Sequence, residues 1–221
     1  MLKLLYSDTS VFNNDTLLEA AMKRLPPHRR KKAVSLKKRN AGNLSVGAWI
    51  TLCGGLKSLG ADIDSLIFDK HPNGKPYIKN SDIHFSLSHS GTFAVCAISD
   101  SDVGADIEEI TEFNPRLAKR YFNKTEYDHI FSKSTPEEQR NEFFRIWTLK
   151  ESYVKFTGKG ISGFPDSTLI LNQEPHLLND VHGLNFLEFD LPSYKISVCG
   201  YNLPKETVPE RINLIHQLIN F

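Results

Sequence analysis

The chain reads as an α+β fold that divides near its middle, and three observations carry that reading. Apolar residues recur at helical spacing over residues 15–25, 41–59 and 141–157. Short apolar or alternating runs fall at 83–87, 93–99, 103–107 and 194–200. The third is an internal echo: Thr92-Phe93-Ala94-Val95-Cys96-Ala97 resembles Tyr194-Lys195-Ile196-Ser197-Val198-Cys199-Gly200, each toward the end of its half.

Residues 1–6 read as a short strand, followed by helices over 15–25 and about 41–59, the second rich in small and apolar residues. Strands over 83–87 and 93–99 are joined by a turn at Ser88-His89-Ser90-Gly91. A second series follows: a strand at 103–107, helices near 115–122 and 141–157, then strands near 167–171, 184–187 and 194–200. Gly158 and Gly160 end the helix at 157, because glycine accepts backbone angles that other residues resist. The division falls between 1–102 and 103–221.

The 221 residues suffice for one large domain or two small ones, and 40% hydrophobic content can supply a core. A net charge of +1 gives no global field that points to nucleic acid. Cys53, Cys96 and Cys199 show no C-x-x-C spacing, which reads as reduced thiols in a cytoplasmic protein. Residues 1–12 lack the apolar stretch of a signal peptide, and no run is apolar enough to span a bilayer.

The strand at 103–107 carries Val103-Gly104-Ala105-Asp106-Ile107-Glu108. Side chains two apart on a strand share a face, so Asp106 and Glu108 point the same way. Carboxylates that close repel unless a proton or cation lies between them. Mg²⁺ takes oxygen ligands, often one or two carboxylates with substrate phosphates. Gly104 on that face leaves room for a ligand. Alone, this D-x-E pattern fits an exposed strand edge as well.

The helix at 141–157 sets Trp147, Glu151 and Lys155 at i, i+4 and i+8, one stripe. Alone, Glu151 and Lys155 fit a surface ion pair of about 0.2–0.5 kcal/mol, with Trp147 a core anchor. Together the two segments supply three carboxylates and a lysine, a set suited to holding a divalent cation against a pyrophosphate.

Taken as a pair, the segments resemble the signature of 4′-phosphopantetheinyl transferases, and most closely the larger surfactin-synthetase-activating type. The matching residues are Gly104-Ala105-Asp106-Ile107-Glu108 and Trp147 to Lys155. Three further family-like segments lie in the expected order: Asn73-Gly74-Lys75-Pro76-Tyr77, Phe85-Ser86-Leu87-Ser88-His89-Ser90-Gly91, and Tyr121-Phe122-Asn123-Lys124-Thr125-Glu126-Tyr127. The resemblance implies two similar α/β subdomains in a pseudo-two-fold arrangement, with the active site in the cleft between them.

It further implies a monomeric enzyme that moves the 4′-phosphopantetheine arm of coenzyme A onto a serine of an apo acyl or peptidyl carrier protein, with Mg²⁺, or Mn²⁺ in its place. Asp106, Glu108 and Glu151 are the implied metal ligands. Glu151 is the expected general base, and Lys155 and His89 stabilise phosphate charge. Coenzyme A needs cations, and residues 23–39 hold nine lysines and arginines. By resemblance Arg29 and Lys32 contact phosphate, and Lys75-Pro76-Tyr77 borders the adenine. Ser88 and His89 are donors to phosphate oxygen, with a protonated His89 also offsetting charge. Asn43 stands where the family commonly has an arginine, so one 3′-phosphate anchor is either lost or supplied by Arg39. Glu126 is an auxiliary carboxylate or a surface residue at a helix start, and residues 113–136 form a loop at the rim where the carrier docks. Two other classes remain open at this point: another Mg²⁺-dependent enzyme acting on a nucleotide or pyrophosphate, and a binding module that takes nucleic acid on residues 23–39.

Overall fold

The computed structural model describes residues 1–164, 167–172, 174–179 and 181–219. The first half runs through strand β1 (Leu2–Asp8), helices α1 (Asp15–Arg24), α2 (Pro27–Ser35) and α3 (Arg39–Ser58), and the hairpin β2 (Phe68–Lys70) and β3 (Pro76–Ile78). It closes with the antiparallel pair β4 (His84–Ser90) and β5 (Phe93–Ser99). The second half repeats this plan with β6 (Val103–Glu109), α4 (Pro115–Tyr121), α5 (Lys124–Phe131) and α6 (Pro136–Thr157). The hairpin β7 (Leu169–Ile170) and β8 (His176–Leu177) follows, then the pair β9 (Leu184–Leu191) and β10 (Tyr194–Tyr201).

In each half the first strand pairs with the last, and the last with the one before it: β1-β5-β4 and β6-β10-β9. The strands whose sequences echo, β5 and β10, therefore hold equivalent places. The chain then crosses back. Strand β11 (Glu210–Arg211) pairs parallel with β1, and α7 (Leu214–Ile219) packs on α3.

Alternation along the strands sets the layers. Val103, Ala105 and Ile107 of β6 share a core with Leu4, Val95 and Ala97 of the first sheet and with Ile196 and Val198 of β10. The opposite faces carry the long helices: α3 lies over Leu5, Cys96 and Ile98, and α6 over β6 and β10. Helix α6 is capped at both ends. Thr135 and Glu138 form a capping box around Pro136, and Gly158 closes the helix at φ 72°. It therefore begins at Pro136, not near 141, because the cap extends the helix beyond its apolar stripe.

Three expectations are corrected. Ser88, His89 and Ser90 lie on β4, so the turn moves to Gly91 and Thr92; bonds from the Ser86, Ser88 and Ser90 hydroxyls to β6 keep that stretch extended. Residues 113–136 are not a loop: beside α4, the helix expected near 115–122, they hold α5, started by an Asn123–Glu126 capping box. The strand at 167–171 shrinks to Leu169–Ile170. Cys53, Cys96 and Cys199 are free and buried, and among the described residues no helix is long and apolar enough to cross a membrane.

Candidate active site

A cavity of about 390 Å³ opens between the two halves. Arg29 and Lys32 of α2 and Ser88 and His89 of β4 reach it from the first half; Asp106 and Glu108 of β6 and Trp147, Glu151 and Lys155 of α6 reach it from the second. The strand period and the helix stripe place the two carboxylates of β6 opposite the α6 residues, as their spacing requires. Gly104 does not make room for a ligand. A Cβ there would lie 2.0 Å from the Ser152 carbonyl oxygen and 2.4 Å from the Phe156 nitrogen, so glycine lets α6 approach β6. That approach brings Lys155 Nζ within 2.6 Å of Asp106 Oδ1.

Asp106 is buried, and its Oδ1 also accepts from Ser88 Oγ at 2.7 Å. Its Oδ2 is buried with no hydrogen-bond partner among the described residues. Burial, then the charge of Asp106, pushes the Glu108 carboxyl up to about 7, although Ser90 donates to its Oε2 at 2.7 Å. The same two causes, in the same order, push Glu151 up to about 7. Burial and the Asp106 charge thus hold Glu108 and Glu151 back from ionising, which a divalent cation would relieve. The donor chemistry suits Mg²⁺: oxygen ligands, one of them orphaned and buried. The present spacing does not yet suit it. Among the described residues no three His, Cys, Asp or Glu side chains are gathered closely enough to hold a metal ion, and the Lys155 ammonium is the cation at Asp106.

The opposite wall is cationic. Arg29 is buried, lies 5.0 Å over the Trp49 ring and donates to the Ser45 carbonyl at 3.3 Å, while its Nε has no hydrogen-bond partner among the described residues. Burial, then Arg29 and Lys70, lowers the pKa of Lys32, a crowding that favours a bound anion. Burial also lowers the pKa of His89, a backbone hydrogen bond opposes it, and Lys155, Lys32 and Arg29 lower it further, with every one of these effects reduced because the residue is exposed. The shift favours the neutral imidazole, which still offers an N–H.

Other expected residues lie elsewhere. Pro76 lines the cavity, but Lys75 donates to the Phe156 carbonyl at 3.0 Å and lies 3.8 Å from Asp102, tying the β2–β3 turn to the end of α6. Tyr77 stacks on His71 at 4.3 Å. Next to Arg29 is a side chamber of about 250 Å³ lined by Trp49, Phe68, Pro76, Phe85 and Leu87 together with Asp69 and Lys70. Arg39 pairs with Asp15 and donates to the Asn13 carbonyl. Asn43 is buried and donates to Asn13 Oδ1 at 3.2 Å. Glu126 is neither auxiliary nor exposed. It is fully buried, 2.8 Å from the equally buried Lys150, which also donates to the Ser167 carbonyl at 2.7 Å. Sequence reasoning missed this pair, though the N-x-x-E spacing of residues 123–126 is a capping signal. It also missed Ser90.

The cleft thus sets cations on one wall and carboxylates on the other. The sequence profile of the 4′-phosphopantetheinyl transferase superfamily matches residues 102–199. The chain is 35% identical over 170 residues to a 4′-phosphopantetheinyl transferase of Bacillus subtilis, a match covering 74% of this chain and 75% of that protein. It is 35% identical over 162 residues to 4′-phosphopantetheinyl transferase Sfp of Bacillus subtilis (strain 168), covering 70% of each. With 4′-phosphopantetheinyl transferase HetI of Nostoc sp. it shares 33% over 188 residues, covering 81% of this chain and 73% of the other. The chain belongs to the 4′-phosphopantetheinyl transferase superfamily, with relatives of the Sfp type.

Proposed function

We propose that this chain transfers the 4′-phosphopantetheine arm of coenzyme A to a serine of an apo acyl or peptidyl carrier protein, leaving holo-carrier and adenosine 3′,5′-bisphosphate. Holo-[acyl-carrier-protein] synthase activity is included in that range of acceptors. The observation that carries the reading is the convergence of Arg29, Lys32, His89, Asp106, Glu108, Glu151 and Lys155 on one cavity. Asp106, Glu108 and Glu151 hold Mg²⁺, or Mn²⁺ in its place, which when bound supplies charge neutralisation at the pyrophosphate. Arg29 and Lys32 bind phosphate, and the adenine lies beside Pro76, near Lys75 and Tyr77.

The residues divide the chemistry between them. Ser88 and His89 donate to phosphate oxygens. Lys155 stabilises negative charge that builds as the bond between the β-phosphorus and the bridging oxygen breaks. Glu151 accepts the proton of the attacking carrier serine. The bridging oxygen leaves with adenosine 3′,5′-bisphosphate. The enzyme acts as a cytoplasmic monomer, touching neither nucleic acid nor membrane, with its two units at 1–102 and 103–221 and the last strand and helix packed back on the first unit. Measuring adenosine 3′,5′-bisphosphate by chromatography tests this. The expected result is one equivalent released per carrier loaded, and none without carrier. Release without carrier points instead to a pyrophosphate hydrolase.

A further inference from the structure

Strands β4 and β6 are facing edges of two different sheets, and among the described residues no backbone ladder joins them. Serine side chains close the seam instead. Ser86, Ser88 and Ser90 alternate along β4, so all three hydroxyls face β6. Ser86 Oγ accepts the Ala105 N–H at 2.9 Å, and Ser90 Oγ accepts the Glu109 N–H at 3.1 Å. Ser88 Oγ donates to Asp106.

Ser90 differs from Ser86 in one respect: it also touches a carboxylate of the site. A backbone N–H can only donate, so the Ser90 oxygen serves Glu109 as acceptor and its own proton is free to point elsewhere. That proton goes to Glu108 Oε2, 2.7 Å away. One hydroxyl thus fixes both the β6 backbone at Glu109 and the side chain of the preceding residue.

We propose that Ser90 is a positioning residue for metal binding: its hydroxyl holds Glu108 Oε2 at the seam between the halves, which leaves Oε1 to serve as that carboxylate's ligand atom. The proposal rests on the assignment of Glu108 as a metal ligand. Partners that orient ligating carboxylates typically change metal affinity by about 10–100-fold when removed.

Mn²⁺ binding by electron paramagnetic resonance, with neither coenzyme A nor carrier present, reads this without reference to turnover. Ser90→Ala is expected to weaken Mn²⁺ about ten-fold, and Ser90→Thr, which keeps the hydroxyl, to stay within about two-fold of wild type. Ser86→Ala removes a seam bond that touches no carboxylate and is expected to leave Mn²⁺ affinity within about two-fold. If Ser90→Ala does not fold, Ser90→Cys, of similar size but a weak donor, is expected to weaken Mn²⁺ several-fold. Wild-type affinity in Ser90→Ala or Ser90→Cys, or an equal loss in Ser86→Ala, overturns the proposal alone. A wild-type protein that binds no Mn²⁺ overturns the metal reading and this proposal with it.

Discussion

Glutamine at position 151 keeps the shape of the side chain and removes its charge. Glu151 shares a cavity with Asp106 and Glu108, and burial followed by Asp106 pushes its carboxyl from the ordinary 4.5 to about 7. Between those two values the folded chain keeps the proton while the unfolded chain releases it. Stability therefore falls as pH rises from about 4.5 to 7, and the loss is complete above 7. The full difference corresponds to about 3 kcal/mol. The side chain is only half-buried, and solvent screening reduces that to about 1–2 kcal/mol. Metal-free Glu151→Gln is thus expected to unfold roughly 2–8 °C above wild type at pH 8, with the gap closing by pH 4.5. Calorimetry in EDTA across pH 4.5–8 measures this directly, because the difference between the two proteins cancels the other titrating groups. Adding Mg²⁺ is expected to stabilise wild type more than the variant. A variant at or below the wild-type melting temperature at pH 8, in EDTA, refutes the claim that these carboxylates strain the metal-free fold.

Asp106→Ala removes the acceptor of both Ser88 and Lys155, and is expected to lower kcat/KM more than about 10³-fold with circular dichroism unchanged; unaltered turnover contradicts the role given to Asp106. Lys150→Ala leaves the fully buried Glu126 without its ion partner and is expected to cost about 3–5 kcal/mol in urea unfolding, whereas the double change Lys150→Met with Glu126→Leu recovers most of it. Gly104→Ala drives a methyl into the α6 backbone and is expected to destabilise by about 1–3 kcal/mol, with a larger loss of activity as Lys155 is displaced from Asp106; a neutral melting temperature refutes the close-packing account.

Much of the site was legible because local periodicity fixes direction. The alternation through Asp106 and Glu108 and the four-residue steps from Trp147 to Lys155 each define a face without knowledge of the fold, and both faces line the cavity. The echo between β5 and β10 marked strands in equivalent positions of two sheets. What was not legible depended on long-range partners. Lys75 and Arg39 are cations in plausible places, yet one is held by the end of α6 and the other by Asp15. Glu126 looked like a surface residue because its partner, Lys150, lies 24 positions away. The role of Gly104 was misread for the same reason, since the atoms it makes room for belong to α6. His89 required knowledge of which cations face it, and they come from two other helices.

The central claim is group transfer from coenzyme A to a carrier protein, and intact mass spectrometry of an apo-carrier tests it most directly. Incubation with this protein, coenzyme A and Mg²⁺ is expected to add the mass of one phosphopantetheine, and EDTA to abolish the gain. An unchanged carrier mass across acyl and peptidyl carriers, from folded protein that does not bind coenzyme A, would contradict the account.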